Sequence, residues 1–244
     1  MSGLGGRLVR PFRLAIDDLV VPALVEVAPG DHREPAAAVR RRRTVVAITL
    51  VVGAVLLGLS LTVRAGSSTF YPLTAGLAAT WIAGGFASGP LHLGRIDFRG
   101  SLRRPVVTPI LIGVLAGAIF IAGALVVREI EPLRDLVQNV LDHARKGSLA
   151  LVAVITVANG VAEEVFFRGA LFPALGSRRR VVVSTTIYTI VTLATGNLML
   201  TFAAATVGTV FALQRRASGG ILAPSISHVV WSMIMLFALP PLFH

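Results

Sequence analysis

Residues 162–169 read AEEVFFRG, and they place three charged side chains inside a stretch that is otherwise apolar for tens of residues in both directions. A charged side chain at the centre of a bilayer costs about 2.5–3.5 kcal/mol on insertion scales, so such residues usually face the protein interior and mark function. This segment therefore indicates both the kind of helical bundle that surrounds it and the position of a functional site.

The composition of the whole chain is that of a membrane protein. Of its 244 residues, 55% are hydrophobic and 14% are charged, whereas soluble domains carry roughly 25% charged residues. The net charge of +11 comes largely from short arginine clusters beside apolar segments, where membrane topology explains them, so nucleic acid is not an expected partner. Cysteine is absent, which excludes disulfides and thiolate metal sites.

Seven apolar stretches are candidates to cross a bilayer, for which a helix needs about 20 residues. They are 44–63, 70–88, 106–127, 149–175, 181–196, 198–214 and 220–239. The fifth and sixth are short and separated only by Gly196–Asn197, so they form either a tight helical hairpin or one broken helix. The sequence thus predicts an all-α polytopic transmembrane bundle of about seven spans, with six or eight as alternatives.

Arginine clusters in the loops predict the orientation of this bundle. They lie at Arg40–Arg43, between residues 95 and 104, at Arg178–Arg180 and at Arg215–Arg216. With seven spans all four fall on one side, which the positive-inside rule makes cytoplasmic. We therefore expect a multi-pass cell membrane protein with a cytoplasmic N-terminus, an external C-terminus and a first span that is retained as a membrane helix.

The pattern divides the chain into four parts: a cytoplasmic tail at 1–43, three transmembrane helices at 44–127, an amphipathic connecting helix at 128–147 and a core with the site at 148–240. In the third part, Leu133, Val137, Val140 and Leu141 recur at helical spacing between charged residues. This pattern predicts a helix on the outer membrane interface, or equally a solvated connecting helix.

The three charges in the fourth span divide into a pair and a single group. Glu164 and Arg168 are four residues apart, so they lie on one helix face and are able to form an ion pair. Glu163 points about 100° away and has no partner on its own helix, which makes it a candidate general base. The alternatives are a purely structural network of all three charges, or a proton or ion pathway.

Polar residues of other helices are expected at a similar depth. From a rise of 1.5 Å per residue, Glu163 lies roughly 15 Å from the cytoplasmic end, His228 roughly 12 Å and Thr192 roughly 17 Å. These three side chains are therefore expected in one layer, and Ser232 follows His228 by one turn on the same face.

Two motifs resemble those of a known family. AEEVFFRGALFPAL resembles the EExxxR motif of the CPBP intramembrane proteases, the CAAX-protease and bacteriocin-processing family, which includes type II CAAX prenyl endopeptidases and Abi-type immunity proteins. GGILAPSISHVVWSMIM is similar to the family's last motif, a histidine followed four residues later by asparagine or a similar residue. The resemblance covers about residues 148–240.

The resemblance implies a peptide-bond hydrolase that acts on a membrane-embedded or membrane-proximal substrate. Glu163 would activate the attacking water, Glu164 and Arg168 would support the site, and His228 would hold the water or stabilise the oxyanion. Zinc usually takes three or four protein ligands, so one glutamate and one histidine disfavour a metal and leave no certain cofactor.

The chain departs from the family at two positions. The family's middle motif is FxxxH, and its best match here is Tyr188 to Thr192; Ser232 stands where asparagine is usual. Hydroxyl groups are able to hydrogen-bond a water, but they do not carry a positive charge or take up a proton near pH 7. A non-catalytic membrane scaffold is therefore one alternative function, and a small proton-coupled transporter with Glu163 as the titrating group is another.

Overall fold

The computed structural model describes residues 16–27, 34–98, 100–176 and 179–243. Within these ranges the chain forms nine helices, one short β-hairpin and a final 3-10 turn. In chain order they are α1 Ile16–Val25, α2 Ala36–Thr62, α3 Phe70–Ser88, β1 Ile96–Phe98, β2 Ser101–Arg103, α4 Val107–Val127, α5 Glu131–Arg145, α6 Leu149–Ala174, α7 Arg180–Leu193, α8 Leu198–Ser218, α9 Leu222–Ala238 and the turn Pro240–Leu242. The predicted all-α polytopic architecture is confirmed, and only the small hairpin was not expected.

Five of these helices, α2, α4, α6, α8 and α9, are long and apolar enough to cross a membrane. The predicted spans 70–88 and 181–196 correspond to α3 and α7, which have 19 and 14 residues. A helix of 14 residues is about 21 Å long, shorter than a hydrocarbon core of about 30 Å. The count of seven spans therefore stays a prediction.

The first long helix begins earlier than the apolar pattern indicated. It starts at Ala36, so Arg40–Arg43 lie within its first two turns, whereas they were expected in a tail before the span. Arginine is a good helix former, and Pro35 directly before the helix favours a start there. The described part of the expected tail also contains α1. Residues 1–15, Arg99 and Arg178 lie outside the described residues.

The fifth and sixth predicted stretches are separate helices joined by a tight turn. Gly196 has a φ of +69°, a conformation that glycine adopts readily. Asn197 then caps α8, because its Oδ1 accepts from the backbone N–H of Met199 at 3.0 Å and of Leu200 at 3.1 Å. The helical hairpin is therefore the alternative that the structure adopts.

An aromatic cluster forms the centre of the bundle. The ring of Trp81 on α3 stacks on Phe166 of α6 with a centroid distance of 4.7 Å and also contacts Phe167. A Cβ atom at Gly53 of α2 would overlap the Trp81 ring, so glycine is what allows α2 to approach α3 this closely. This core fixes the face of α6 that carries the charged residues.

Arginines from three clusters converge on the C-terminal end of α6. They donate to its backbone carbonyls, Arg42 to Gly169 at 3.3 Å, Arg43 to Ala174 at 3.0 Å, Arg180 to Leu175 at 2.7 Å and Arg215 to Arg168 at 2.7 Å. The last carbonyls of a helix lack partners within it, and cations near this end are favourable. These arginines therefore satisfy backbone groups in addition to any effect on membrane orientation.

The fourth arginine cluster, between residues 95 and 104, lies at the same end of the bundle. In the loop between α3 and α4, the backbone N–H of Arg95 donates to the carbonyl of Ser218, the last residue of α8, at 2.8 Å. All four arginine clusters thus mark one end of the bundle, as a seven-span topology requires. Which side of a membrane this end faces stays a prediction.

The amphipathic helix α5 packs at the opposite end. Its apolar residues Val137 and Leu141 are buried against Ala124 and Phe243. The helix is held there by Asn197 of the α7–α8 turn, whose Nδ2 donates to the Leu136 carbonyl at 2.7 Å. The predicted amphipathic helix therefore forms, while its position at a membrane interface stays a prediction.

Candidate active site

The charged residues lie where α6 changes its hydrogen-bonding pattern. The helix is an α-helix from Leu149 to Glu163 and a π-helix over Glu164–Leu171. All residues of the π segment are buried. A π segment widens the helix and often occurs at functional sites. The change begins between the two adjacent glutamates, so they belong to different helical segments.

Glu164 lies at the centre of a buried ionic network. Its side chain is fully buried, and Oε1 accepts from Arg168 Nη1 at 2.9 Å and from His228 Nδ1 at 3.0 Å. Since the carboxylate accepts this bond, Nδ1 of the imidazole carries a proton, and Nε2 is left to contact other groups. The ion pair that the i,i+4 spacing predicted is present, with the histidine as a third member.

Arg168 connects this network to α7 and α8. Its Nη2 donates to the carbonyl of Gly208 at 3.0 Å, and its guanidinium lies 4.7 Å from the centroid of the Tyr188 ring. A Cβ atom on Gly208 would come within 2.9 Å of that ring. Glycine at this position therefore allows the arginine and the tyrosine to approach α8. The sequence offered no signal for this role, because glycine is common in membrane helices.

Glu163 is held in a different way from its neighbour. Its Oε2 accepts from the Tyr188 hydroxyl at 2.5 Å, and its side chain is partly exposed. Nothing on its own helix pairs with it, as expected, but α7 supplies a neutral donor. The two adjacent carboxylates thus have separate environments, one paired with charged groups and one with a hydroxyl.

His228 on α9 is placed by aromatic packing as well as by Glu164. Its ring stacks on Phe211 of α8 with a centroid distance of 4.9 Å and an interplanar angle of 25°. It also borders Gly160 of α6, where a Cβ atom would lie 3.6 Å from the ring and 3.8 Å from Nε2. The imidazole therefore lies beside the helical turn that precedes the two glutamates.

Thr192 and Ser232 are not joined to these groups in the described part of the chain. The Thr192 hydroxyl donates to the Tyr188 carbonyl of its own helix at 2.9 Å, and Ser232 is half-buried with no hydrogen bond to Glu163 or His228. An open surface pocket of about 490 Å³ lies elsewhere, at the end of the bundle that contains Arg145. The expected common layer of Glu163, His228 and these two hydroxyl residues stays a prediction.

The stretch that carries both carboxylates and the histidine also carries a family signature. Residues 145–234 match the Rce1-like type II CAAX prenyl endopeptidases. The match confirms the resemblance to the CPBP intramembrane proteases that the two motifs indicated, and it contains every predicted site residue. The Rce1-like segment ends before the last turns of α9, and the preceding helices lie outside it. No curated protein and no solved structure matches the chain.

The donor set of the Rce1-like segment does not fit zinc. Across the described residues, no three His, Cys, Asp or Glu side chains are grouped so that they could hold a metal ion. Zinc sites in enzymes usually have three protein ligands. In addition, the Glu164 carboxylate and His228 Nδ1 already bond each other. A metal-free site therefore stays a prediction.

Sequence reasoning missed one polar residue beside this site. Asn159 lies four residues before Glu163 on α6, and its Oδ1 is buried without a hydrogen-bond partner in the described part of the protein. The i,i+4 spacing from Glu163, within an otherwise apolar run, was a signal that could have identified it.

Proposed function

We propose that this protein is an intramembrane endopeptidase in which Glu163 activates water for attack on a peptide bond. The observation that carries the proposal is the contrast between the two adjacent glutamates. Glu164 is fully buried and its Oε1 is bonded by Arg168 and His228, whereas Glu163 is partly exposed and, among the described residues, accepts from the neutral Tyr188 hydroxyl. A partly exposed carboxylate that is not paired with a cation is suited to accept a proton from water.

The reaction proceeds without a covalent enzyme intermediate. Glu163 removes a proton from water as the water oxygen bonds to the peptide carbonyl carbon, which gives a tetrahedral oxyanion. The carbon–nitrogen bond then breaks, and the proton passes from Glu163 to the departing amine. Tyr188 holds one carboxylate oxygen through its hydroxyl, so the other oxygen is directed to the water.

His228 stabilises the charge that develops during this reaction. Glu164 fixes the imidazole through Nδ1, so Nε2 is the atom that contacts substrate. In the imidazolium form, with protons on both ring nitrogens, Nε2–H is a suitable donor to an oxyanion, and a prearranged donor of this kind typically contributes about 10²–10³ in rate. Arg168 pairs with Glu164 and holds its carboxylate in place, which maintains the orientation of the histidine.

The substrate is a membrane-embedded or membrane-proximal peptide. Five candidate spans and the protease family indicate an integral membrane protein with a peptide substrate. Glu163 precedes the end of α6 at Ala174 by eleven residues, or about 16 Å, so cleavage occurs within the half of the bilayer at the arginine-rich end. We assign this end to the cytoplasm and the C-terminus to the external side by the positive-inside rule.

A non-catalytic scaffold is the second candidate, and Thr192 supports it. The family's middle histidine is replaced by a threonine whose hydroxyl donates to its own helix, so this side chain does not take over the histidine's role. A protein of this kind would bind helical or lipidated segments without cleaving them. The family match favours hydrolysis over this candidate and over a proton-coupled transporter.

Mass spectrometry of cleavage products distinguishes these functions. The purified protein in lipid nanodiscs is incubated with a library of transmembrane and membrane-proximal peptides, including farnesylated and unprenylated versions of one C-terminal peptide, in ¹⁸O-water. Hydrolysis by activated water predicts products whose new C-terminal carboxyl carries one ¹⁸O. Peptides that bind the folded protein and remain intact would support the scaffold instead.

A further inference from the structure

The side chain of Asn159 is fixed with one unused acceptor. Its Nδ2 donates to the carbonyl of Ile155 at 3.0 Å and to the carbonyl of Thr74 on α3 at 3.3 Å. These two bonds use both amide hydrogens and set the orientation of the group. Oδ1 consequently points away from both carbonyls, and it is buried with no hydrogen-bond partner among the residues that the structure describes. Buried amide oxygens normally accept a hydrogen bond, so a proton donor is expected beside it.

The spacing from Glu163 identifies a donor of suitable size. Residues four apart on a helix have Cβ atoms about 5–6 Å apart, and Asn159 and Glu163 have this spacing in the α-helical part of α6. A water molecule that donates one hydrogen to each of two oxygens, at about 2.8 Å each, bridges acceptors roughly 4.5–5 Å apart. The i,i+4 spacing therefore makes one water a candidate to bridge the amide oxygen and the carboxylate.

His228 contacts the same turn of α6. Its Nε2 lies beside Gly160, the residue that follows Asn159, as the distance of 3.8 Å to a Cβ atom built there indicates. The turn of α6 that carries Asn159 therefore also contacts the imidazole. Thr192, which stands where the family has a histidine, has its hydroxyl engaged within α7.

We propose that Asn159 Oδ1 and the Glu163 carboxylate together bind the attacking water, an assignment that rests on the proposed function. One hydrogen of the water faces Glu163 and is the proton that is transferred when the water oxygen bonds to the carbonyl carbon. The other hydrogen faces Asn159 and stays on the water oxygen. Asn159 in this way orients the lone pair that attacks, which the side chain of Thr192 does not do.

The first test replaces Asn159 by leucine, which has a similar shape and no acceptor. With an internally quenched peptide that the wild-type protein cleaves, Asn159→Leu lowers kcat by about 10²-fold and leaves KM within about threefold, since misplacement of a reactant by about 1 Å has an effect of this size. Thr108→Val is the matched control, because its hydroxyl is also buried without a described partner but lies on α4. It retains full kcat.

The second test does not depend on activity. The infrared stretching band of the Glu163 carboxyl group is assigned in nanodiscs by its loss in Glu163→Gln. The frequency of this band in the wild-type protein is then compared with its frequency in Asn159→Leu and in Thr108→Val. If Asn159 shares a water with Glu163, the band shifts in Asn159→Leu and not in Thr108→Val.

The outcomes separate this assignment from the proposed function. A band shift in Asn159→Leu supports the shared water even if the wild-type protein cleaves none of the peptides, in which case only the proposed function fails. A folded Asn159→Leu protein with an unshifted band overturns the assignment, whatever its activity. A kcat within threefold of wild type also overturns it.

Discussion

Replacement of Arg168 by methionine should destabilise the folded protein more than most single substitutions in the bundle. The change removes a partner of a carboxylate that is fully buried, and among the described residues it leaves Glu164 bonded to His228 alone. Breaking a buried ion pair by removing one member typically costs about 3–5 kcal/mol. The Gly208 carbonyl also loses its donor, which is expected to bring the total to the upper part of that range.

A double variant separates the charge effect from loss of packing. In Glu164→Gln with Arg168→Met, no uncompensated charge remains, so the destabilisation should fall to about half that of the single substitution, because buried pairs replaced together are often near neutral. Unfolding in mixed micelles of detergent and increasing SDS, followed by tryptophan fluorescence, measures both free energies. An Arg168→Met protein within about 1 kcal/mol of wild type would refute the reasoning, as would a double variant no more stable than the single one.

Three further predictions follow from other contacts. Gly208→Ala should lower the thermal midpoint, because its Cβ atom would lie 2.9 Å from a packed tyrosine ring, whereas Gly123→Ala, with nothing within 4 Å, should not. The hydrogen bond from Arg42 lowers the pKa of Glu34 below its ordinary 4.5. This pair should therefore stabilise the fold above pH 4.5 and lose that effect as the pH falls through the lowered pKa. In acid titrations, the stability of Glu34→Gln should depend less on pH than that of wild type. Thr192→His should raise cleavage of a model transmembrane peptide or confer it, and a folded variant with no gain would favour the scaffold.

The parts of the site that lie on one helix could be predicted from the sequence. The spacing of Glu164 and Arg168 places them on one face of α6, and burial in an apolar segment then favours their pairing. The same reasoning left Glu163 without a partner on its helix and identified His228 as a group at similar depth. These inferences succeed because they need only helical periodicity and the cost of a charge in an apolar environment.

Contacts between helices could not be predicted in this way. The bond between Tyr188 and Glu163 depends on how α7 packs on α6, and the burial of Arg42 depends on carbonyls that the end of α6 exposes. The π segment that starts at Glu164 also has no simple sequence signature. Such features follow from tertiary structure, and periodicity in a single sequence does not contain them.

The central claim, that Glu163 activates the attacking water, is tested most directly by Glu163→Gln. Glutamine keeps the shape and accepts the hydrogen bond from Tyr188, so the variant should fold with a thermal midpoint close to that of wild type. It is unable to take a proton, and general-base catalysis typically contributes about 10²–10⁴ in rate. On a peptide that the wild-type protein cleaves in nanodiscs, the account predicts a kcat at least about 10²-fold lower with substrate binding retained. A folded Glu163→Gln protein that cleaves within about tenfold of the wild-type rate would contradict it.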